Sequence, residues 1–336
     1  MGNAETLLQA LGGEEGCRRL SREFYARVAK EPLLRPLFPG KSLRCATEEF
    51  AAFLIQFLGG DEQHTQYRWW LSLRESHARF RIESAQRTAW LKHMREALDA
   101  LPLDRSVRQA LGKFFNHSSS YAIGREAGKL LSENKELATR WKEQRKLDDA
   151  IAAITIGDDD RAISFAQQFA SRPTVFVGLA ARMMNCRRAG LIRFVHDSVE
   201  RDAKLGLARF NGRTLLHHAA GAGCIEVAAL VLKTGVDPDI ADHGGHTALY
   251  RVANECSTDA GPQLVRMLVQ ARADVNACGG VTRATPLHMA ARRGFVKIAQ
   301  ALIECGANIH ARDTKGVTPL QRAINCRRGE IVKLLR

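Results

Sequence analysis

Long apolar runs are missing from this chain of 336 residues. No stretch approaches the roughly 20 residues that a bilayer-spanning helix needs, so no membrane partner is expected. The first residues lack a basic segment followed by an apolar stretch, so a secretory leader is not expected either. Paired cysteines at metal-binding spacing are also absent. The eight cysteines stand at 17, 45, 186, 224, 256, 278, 305 and 326, and no two form C-x-x-C. A zinc site is therefore not expected, and scattered thiols point to a reducing, cytoplasmic setting. Aromatic residues are sparse at 7%, and no basic run carries interleaved aromatics. With no Cys₂His₂ pattern beside it, the net charge of +14 does not make a nucleic-acid partner. The excess is spread along the chain, with 19 basic against 15 acidic side chains in residues 1–128 and 31 against 21 in the rest. A surplus of polar residues is lacking as well. At 45% hydrophobic and 26% charged residues, wholesale disorder is excluded.

What is present first is a repeat. Arg213-Thr214-Leu215-Leu216-His217-His218-Ala219-Ala220 recurs as Ala284-Thr285-Pro286-Leu287-His288-Met289-Ala290-Ala291. His246-Thr247-Ala248-Leu249-Tyr250 and Val317-Thr318-Pro319-Leu320-Gln321 are shorter copies. Thr214 to Thr247 and Thr285 to Thr318 are steps of 33, and Thr247 to Thr285 is a step of 38. The five extra residues fit an insertion around 257–262 and one more near Thr282. Gly235-Val236-Asp237 and Gly306-Ala307-Asn308 keep the same phase, each after an apolar helical stretch. The unit reads as helix, turn, helix and a glycine-containing loop.

A 33-residue period with Thr-Pro-Leu-His resembles the ankyrin repeat. The Thr hydroxyl suits a helix cap and Pro suits the first turn. One unit cannot bury its own apolar face, so the resemblance implies a stack whose surface docks a protein partner. It is clear over residues 210–336. Residues 147–209 hold two degenerate helix pairs, 147–154 with 160–166 and 175–182 with 189–195, expected to cap the stack. Residues 129–146 are charged and free of proline, and are expected to form a helical linker. His217 and His288 belong to the repeat motif and are expected to make internal hydrogen bonds.

Residues 1–128 show helical periodicity. Phe50, Phe53, Leu54, Phe57 and Leu58 share one helix face, and so do Trp90, Met94, Ala97, Leu98 and Leu101. Leu111, Phe114 and Phe115 repeat the spacing. Read alone, these residues make the core of a small helical bundle, and His77 a structural or surface histidine.

The order of elements says more. A Leu-Gly-Gly near the start leads to Phe24-Tyr25-Ala26-Arg27-Val28, then to residues 32–39 with Phe38. Residues 53–60, then Leu73-Arg74-Glu75-Ser76-His77-Ala78-Arg79-Phe80-Arg81-Ile82, then Ala89-Trp90-Leu91 follow. This ordered set resembles a truncated hemoglobin, closest to the group II branch, over about residues 5–125. The resemblance implies an all-α chain, a truncated two-over-two globin followed by an ankyrin-repeat solenoid. It implies heme b as cofactor, with His77 as the proximal iron ligand. Tyr25 supplies a distal hydroxyl, Phe38 stands at the heme edge and Trp90 takes the distal position typical of group II. Ala46 lies where many globins place a distal histidine, and Phe50 one turn further on. Phe38, Phe50, Phe53 and Leu54 are expected to wall the iron from water. Arg74, Arg79 and Arg81 are candidate propionate partners.

The chain departs from the family pattern at Trp69-Trp70-Leu71, where group II chains carry Gly-His-Pro. It departs again at Ser76, usually basic, and at Arg79, usually proline. The loop before the proximal helix is expected to be reshaped. His64 and His93 are expected to be solvated or structural.

Three functions follow as expectations. The first is a globin binding dioxygen or another diatomic gas, as in oxygen transport, with the ankyrin array docking a protein. The second is an enzyme, nitric oxide dioxygenase or peroxidase-like, served by an external reductase. The third is a heme-free protein-binding scaffold, motivated by the departures around His77.

Overall fold

The computed structural model describes residues 6–38, 40, 42–60, 72–78, 80, 82–124 and 134–336. The chain divides into two compact units, Met1–Ala152 and Ala153–Arg336. Among the described residues, no helix is long and apolar enough to cross a membrane.

The first unit holds α1 (Leu7–Ala10), α2 (Gly13–Val28), α3 (Arg44–Phe57), α4 (Leu73–Ala78), α5 (Ser84–Asp99) and α6 (Arg105–Ala122). It then takes in most of α7 (Lys135–Ile156). The core follows from helical spacing. α2 buries Cys17, Leu20, Ser21, Phe24 and Val28, which fall on one stripe. α6 buries Leu111, Phe114, Phe115 and Ser118 at i, i+3, i+4 and i+7. Each fully buried Leu or Phe contributes roughly 1.5–3 kcal/mol relative to exposure. Gly16 lets α1 and α2 turn tightly on each other. A Cβ there would lie 1.8 Å from the Leu11 carbonyl oxygen, so only glycine fits.

Residues 134–146, expected as part of a charged linker, hold the first turns of α7. They place Leu137 and Trp141 in this core, at 0% and 4% exposure. The Trp141 ring meets Tyr121 edge-on at 5.1 Å and Phe114 at 5.8 Å. The first degenerate pair starts without a break, because 147–154 is the continuation of the same helix.

The second unit stacks helix pairs. These are α8 (Asp159–Gln167), α9 (Pro173–Cys186) with α10 (Ala189–Arg201), α11 (Leu215–Ala222) with α12 (Ile225–Lys233), and α13 (Ala248–Glu255) with α14 (Gly261–Gln270). α15 (Pro286–Arg293) with α16 (Val296–Glu304) and α17 (Pro319–Asn325) with α18 (Gly329–Leu334) complete it. α9, α11, α13, α15 and α17 pack in one row, and α10, α12, α14, α16 and α18 in another. The inserted residues widen the α13–α14 turn to residues 256–260, against 294–295 between α15 and α16. A hairpin of β1 (Arg209–Phe210) and β2 (Arg213–Thr214) precedes α11, turned by Asn211-Gly212, both at positive φ.

The repeat histidines join neighbouring units. The Thr214 backbone N–H donates to His217 Nδ1 at 3.3 Å, so that nitrogen carries the lone pair. Nε2–H then donates to the His246 carbonyl at 2.9 Å in the following repeat. His288 repeats this with Thr285 and the Val317 carbonyl. Both are 0% exposed, and both make the internal bonds expected of them. Asp242 accepts the Gly244 and His246 N–H groups and pairs with Arg251, and Asp313 does the same with Lys315, Val317 and Arg322. Burial alone would raise the Asp242 carboxyl. The hydrogen bonds from His246 and the Arg251 guanidinium outweigh it and hold it well below the usual range.

Candidate functional site

A cavity of about 390 Å³ opens within the first unit, a size suited to a small organic cofactor or ligand. α2 and α3 give it Tyr25, Ala46, Phe50 and Phe53, and the segment after α2 gives Phe38. α4 gives His77, and α5 gives Trp90. Seven of the eleven residues singled out from the sequence thus line one space. Arg81 lies outside the described residues, as do Arg79, His64 and Trp69-Trp70-Leu71.

His77 is oriented by its own helix. Its Nδ1 stands 2.8 Å from the Leu73 carbonyl oxygen and 2.9 Å from Ser76 Oγ. The Ser76 hydroxyl donates to that same carbonyl at 2.8 Å. A carbonyl oxygen only accepts, so Nδ1 carries the proton. In the neutral ring Nε2 then carries the lone pair, the arrangement in which imidazole ligates a metal. Ser76, a departure from the family pattern, thereby shares in fixing the tautomer.

The opposite chemistry comes from donors. Burial, reinforced by the Glu49 carboxylate, pushes the Tyr25 phenol well above its ordinary value, so the hydroxyl keeps its proton. Trp90 offers an indole N–H. The aromatic walls are mutually braced. Tyr25 meets Phe38 edge-on at 5.5 Å, Phe24 lies 5.1 Å from Trp90, and Phe50 packs 6.3 Å from Phe115.

Two expectations fail. Leu54 does not line the cavity. It shares the α3 stripe of Phe50 and Phe53 but packs into the core beside the cavity, at 1% exposure. Arg74 does not reach the cavity either. Its guanidinium lies 4.0 Å from the Tyr121 ring centroid, since position 74 falls on the side of α4 away from the cavity. His93 is structural, with Nε2 2.8 Å from Glu31 and Nδ1 3.0 Å from Glu96.

Glu49, Phe80 and Arg87 are among the lining residues that sequence reasoning passed over. Glu49 sits one turn from Ala46. Phe80, 6.0 Å from Phe38 and 6.4 Å from His77, closes the gap between them. Arg87 lies on the cavity edge, one turn before Trp90, and donates to the Asn116 carbonyl and side chain at 2.8 Å each. For Glu49 and Arg87 the signal was helical spacing from residues already chosen.

Residues 6–121 match the bacterial-like globin family. Residues 182–277 and 254–336 match the three-copy ankyrin-repeat family. The group 2 truncated hemoglobin YjbI of Bacillus subtilis (strain 168) is 37% identical over 99 residues, 30% of this chain and 74% of that protein. The chain belongs to the truncated hemoglobins. Its globin unit carries an ankyrin array as a second part. Ankyrin repeat and SOCS box protein 16 of Homo sapiens is 30% identical over 129 residues, 38% of this chain and 26% of its own length. Alpha-latrotoxin-Lt1a of Latrodectus tredecimguttatus is 37% identical over 117 residues, 34% of this chain and 8% of its own. The chain spans only 26% and 8% of these two relatives, so the likeness is one of repeats. The first unit and the repeats are both helical folds, as the sequence implied.

Proposed function

We propose that the globin unit holds heme b and binds dioxygen or another diatomic gas, while the ankyrin array docks a protein partner. The observation that carries this reading is the fixed tautomer of His77. Its Nδ1–H is committed to the Leu73 carbonyl, and its Nε2 lone pair belongs to a ring lining the same cavity as Tyr25 and Trp90. The donor set fits heme: one neutral imidazole, a cleft walled by Phe38, Phe50, Phe53 and Phe80, and two neutral hydrogen-bond donors.

When bound, heme supplies an iron with an open coordination position for a diatomic ligand. His77 would hold that iron through Nε2. Tyr25 and Trp90 would donate hydrogen bonds to the partly negative ligand. Tyr25 keeps its proton for that purpose because the buried phenolate is disfavoured. The phenylalanines would exclude water from a bound iron and so slow its oxidation. Ala46 contributes no donor, so polar stabilisation falls to Tyr25 and Trp90. Arg87, on the cavity edge, is a candidate propionate partner, the role the resemblance also implies for Arg81.

Turnover, as a nitric oxide dioxygenase or peroxidase, would use the same pocket and an external reductase. A cytoplasmic setting suits the reduced cysteines. Heme titration of the purified chain beside His77→Ala tests the reading. A sharp Soret band that shifts on reduction and carbon monoxide addition, and is lost or altered in the variant, supports it. Nitric oxide consumption with a reductase then separates binding from turnover. Absence of specific heme uptake leaves the protein-docking scaffold.

A further inference from the structure

α4 has six residues, and a helix this short does not hold itself in water. None of its side chains is fully buried, and Leu73 packs only partly buried against the core, so side-chain packing alone gives it little hold. What fixes its start lies on α7, far along the chain. Asp148 Oδ1 accepts the Ser72 hydroxyl at 2.5 Å and the Arg74 backbone N–H at 3.1 Å. The Ser72 oxygen in turn accepts the Glu75 backbone N–H at 3.0 Å. Two of the orphan N–H groups at the start of α4 are thereby satisfied, one directly by Asp148 and one through the serine it holds. Asp148 and Ser72 are 4% and 3% exposed. Arg74 and Arg145 both lie over the Tyr121 ring, at 4.0 and 5.3 Å, and close the site from the side.

His77 lies one turn beyond this anchor. The Leu73 carbonyl that accepts the His77 Nδ1–H belongs to the residue between Ser72 and Arg74, both of which Asp148 grips. Any rotation of the first turn of α4 therefore rotates the acceptor that aims the imidazole.

We propose that Asp148 is the positioning residue for His77: through Ser72 and the Arg74 N–H it sets the rotation of α4 and with it the direction of the Nε2 lone pair. This rests on the heme reading above. α7 continues to Ile156, past the boundary after Ala152. One carboxylate thus joins the ligand-bearing helix to the helix that leads into the repeat unit.

The test uses the full chain with Asp148→Ala and Asp148→Asn. The asparagine keeps an oxygen that accepts from both donors. The first readout is hydrogen–deuterium exchange of the heme-free protein. Asp148→Ala is expected to speed exchange at residues 74–77 roughly tenfold or more, with α5 and α6 unchanged, as loss of a buried hydrogen-bond partner predicts. The second readout is the iron–imidazole stretching band of the heme-loaded ferrous protein, expected to shift or broaden in Asp148→Ala and to return in Asp148→Asn. Unchanged exchange and an unchanged band would overturn the proposal. So would exchange that rises equally across α4, α5 and α6, which marks a general stabilising role. A wild-type chain that takes up no heme would fail the heme reading at the outset. The exchange measurement would still decide whether Asp148 holds α4.

Discussion

His77 Nδ1 lies 2.8 Å from the carbonyl oxygen of Leu73, one helical turn back. That single contact assigns the proton to Nδ1 and the lone pair to Nε2. It gives a histidine on a short helix a defined tautomer, and Tyr25, Phe38, Phe50 and Trp90 line the same cavity.

Changing Tyr25 to Phe, and Trp90 to Phe, is expected to speed dioxygen release from the heme-loaded ferrous protein. Hydrogen bonds to charged groups contribute roughly 1.5–3 kcal/mol, so each loss corresponds to about a tenfold to hundredfold faster rate. The double variant should exceed either single one. Stopped-flow ligand replacement measures this. An off-rate untouched by both changes would remove these residues from the distal role.

Trp141→Ala is expected to destabilise the globin unit. Truncating a buried Trp typically costs about 3–5 kcal/mol. The ring packs on Tyr121, His117 and Phe114 at 5.1, 5.3 and 5.8 Å. Chemical denaturation followed by helical circular dichroism and by heme loss should show the first transition moving to lower denaturant. A first transition that stays in place would show that α7 does not belong to that core.

Acid is expected to weaken the repeat unit through its buried histidines. Burial pulls His217 down from 6.5 to about 4, with the hydrogen bond to the His246 carbonyl opposing it. Burial likewise lowers His218, to about 3, and His288. Unfolded histidines take up a proton near 6.5, so between these limits the unfolded chain binds more protons. Stability is full above about pH 6.5 and falls as pH drops towards 4, by up to about 3 kcal/mol for His217 alone. His217→Gln should flatten this limb, since glutamine does not titrate. The last repeat already uses Gln321 at this position, where it accepts the Thr318 N–H at 2.9 Å. Denaturation midpoints at pH 7, 6, 5 and 4 decide it, and parallel curves for the two chains would refute the assignment.

The fold was legible where apolar spacing is regular. The Thr-Pro-Leu-His copies gave the phase of the repeats, and the stripes on α3, α5 and α6 gave the first core. Trp141 and Leu137 were hidden because ten charged residues surround them between 126 and 146. Charge there reads as solvent exposure, although two apolar residues at i and i+4 suffice to seat a helix. The cavity residues were legible through the order of the globin elements. Arg74 was misplaced because spacing along a six-residue helix does not say which side faces the cavity. Asp148 was invisible for a different reason. Its partners lie 76 and 74 residues away, and no local pattern announces a contact of that length.

The central claim is that His77 ligates heme iron through Nε2. The most direct measurement is the spectrum of His77→Gly, purified and supplied with heme, with and without free imidazole. The account predicts a Soret band in the wild-type chain, its loss or displacement in the variant, and its return as imidazole fills the vacated position. A variant whose ferrous and carbon monoxide spectra match the wild-type chain without imidazole would contradict it.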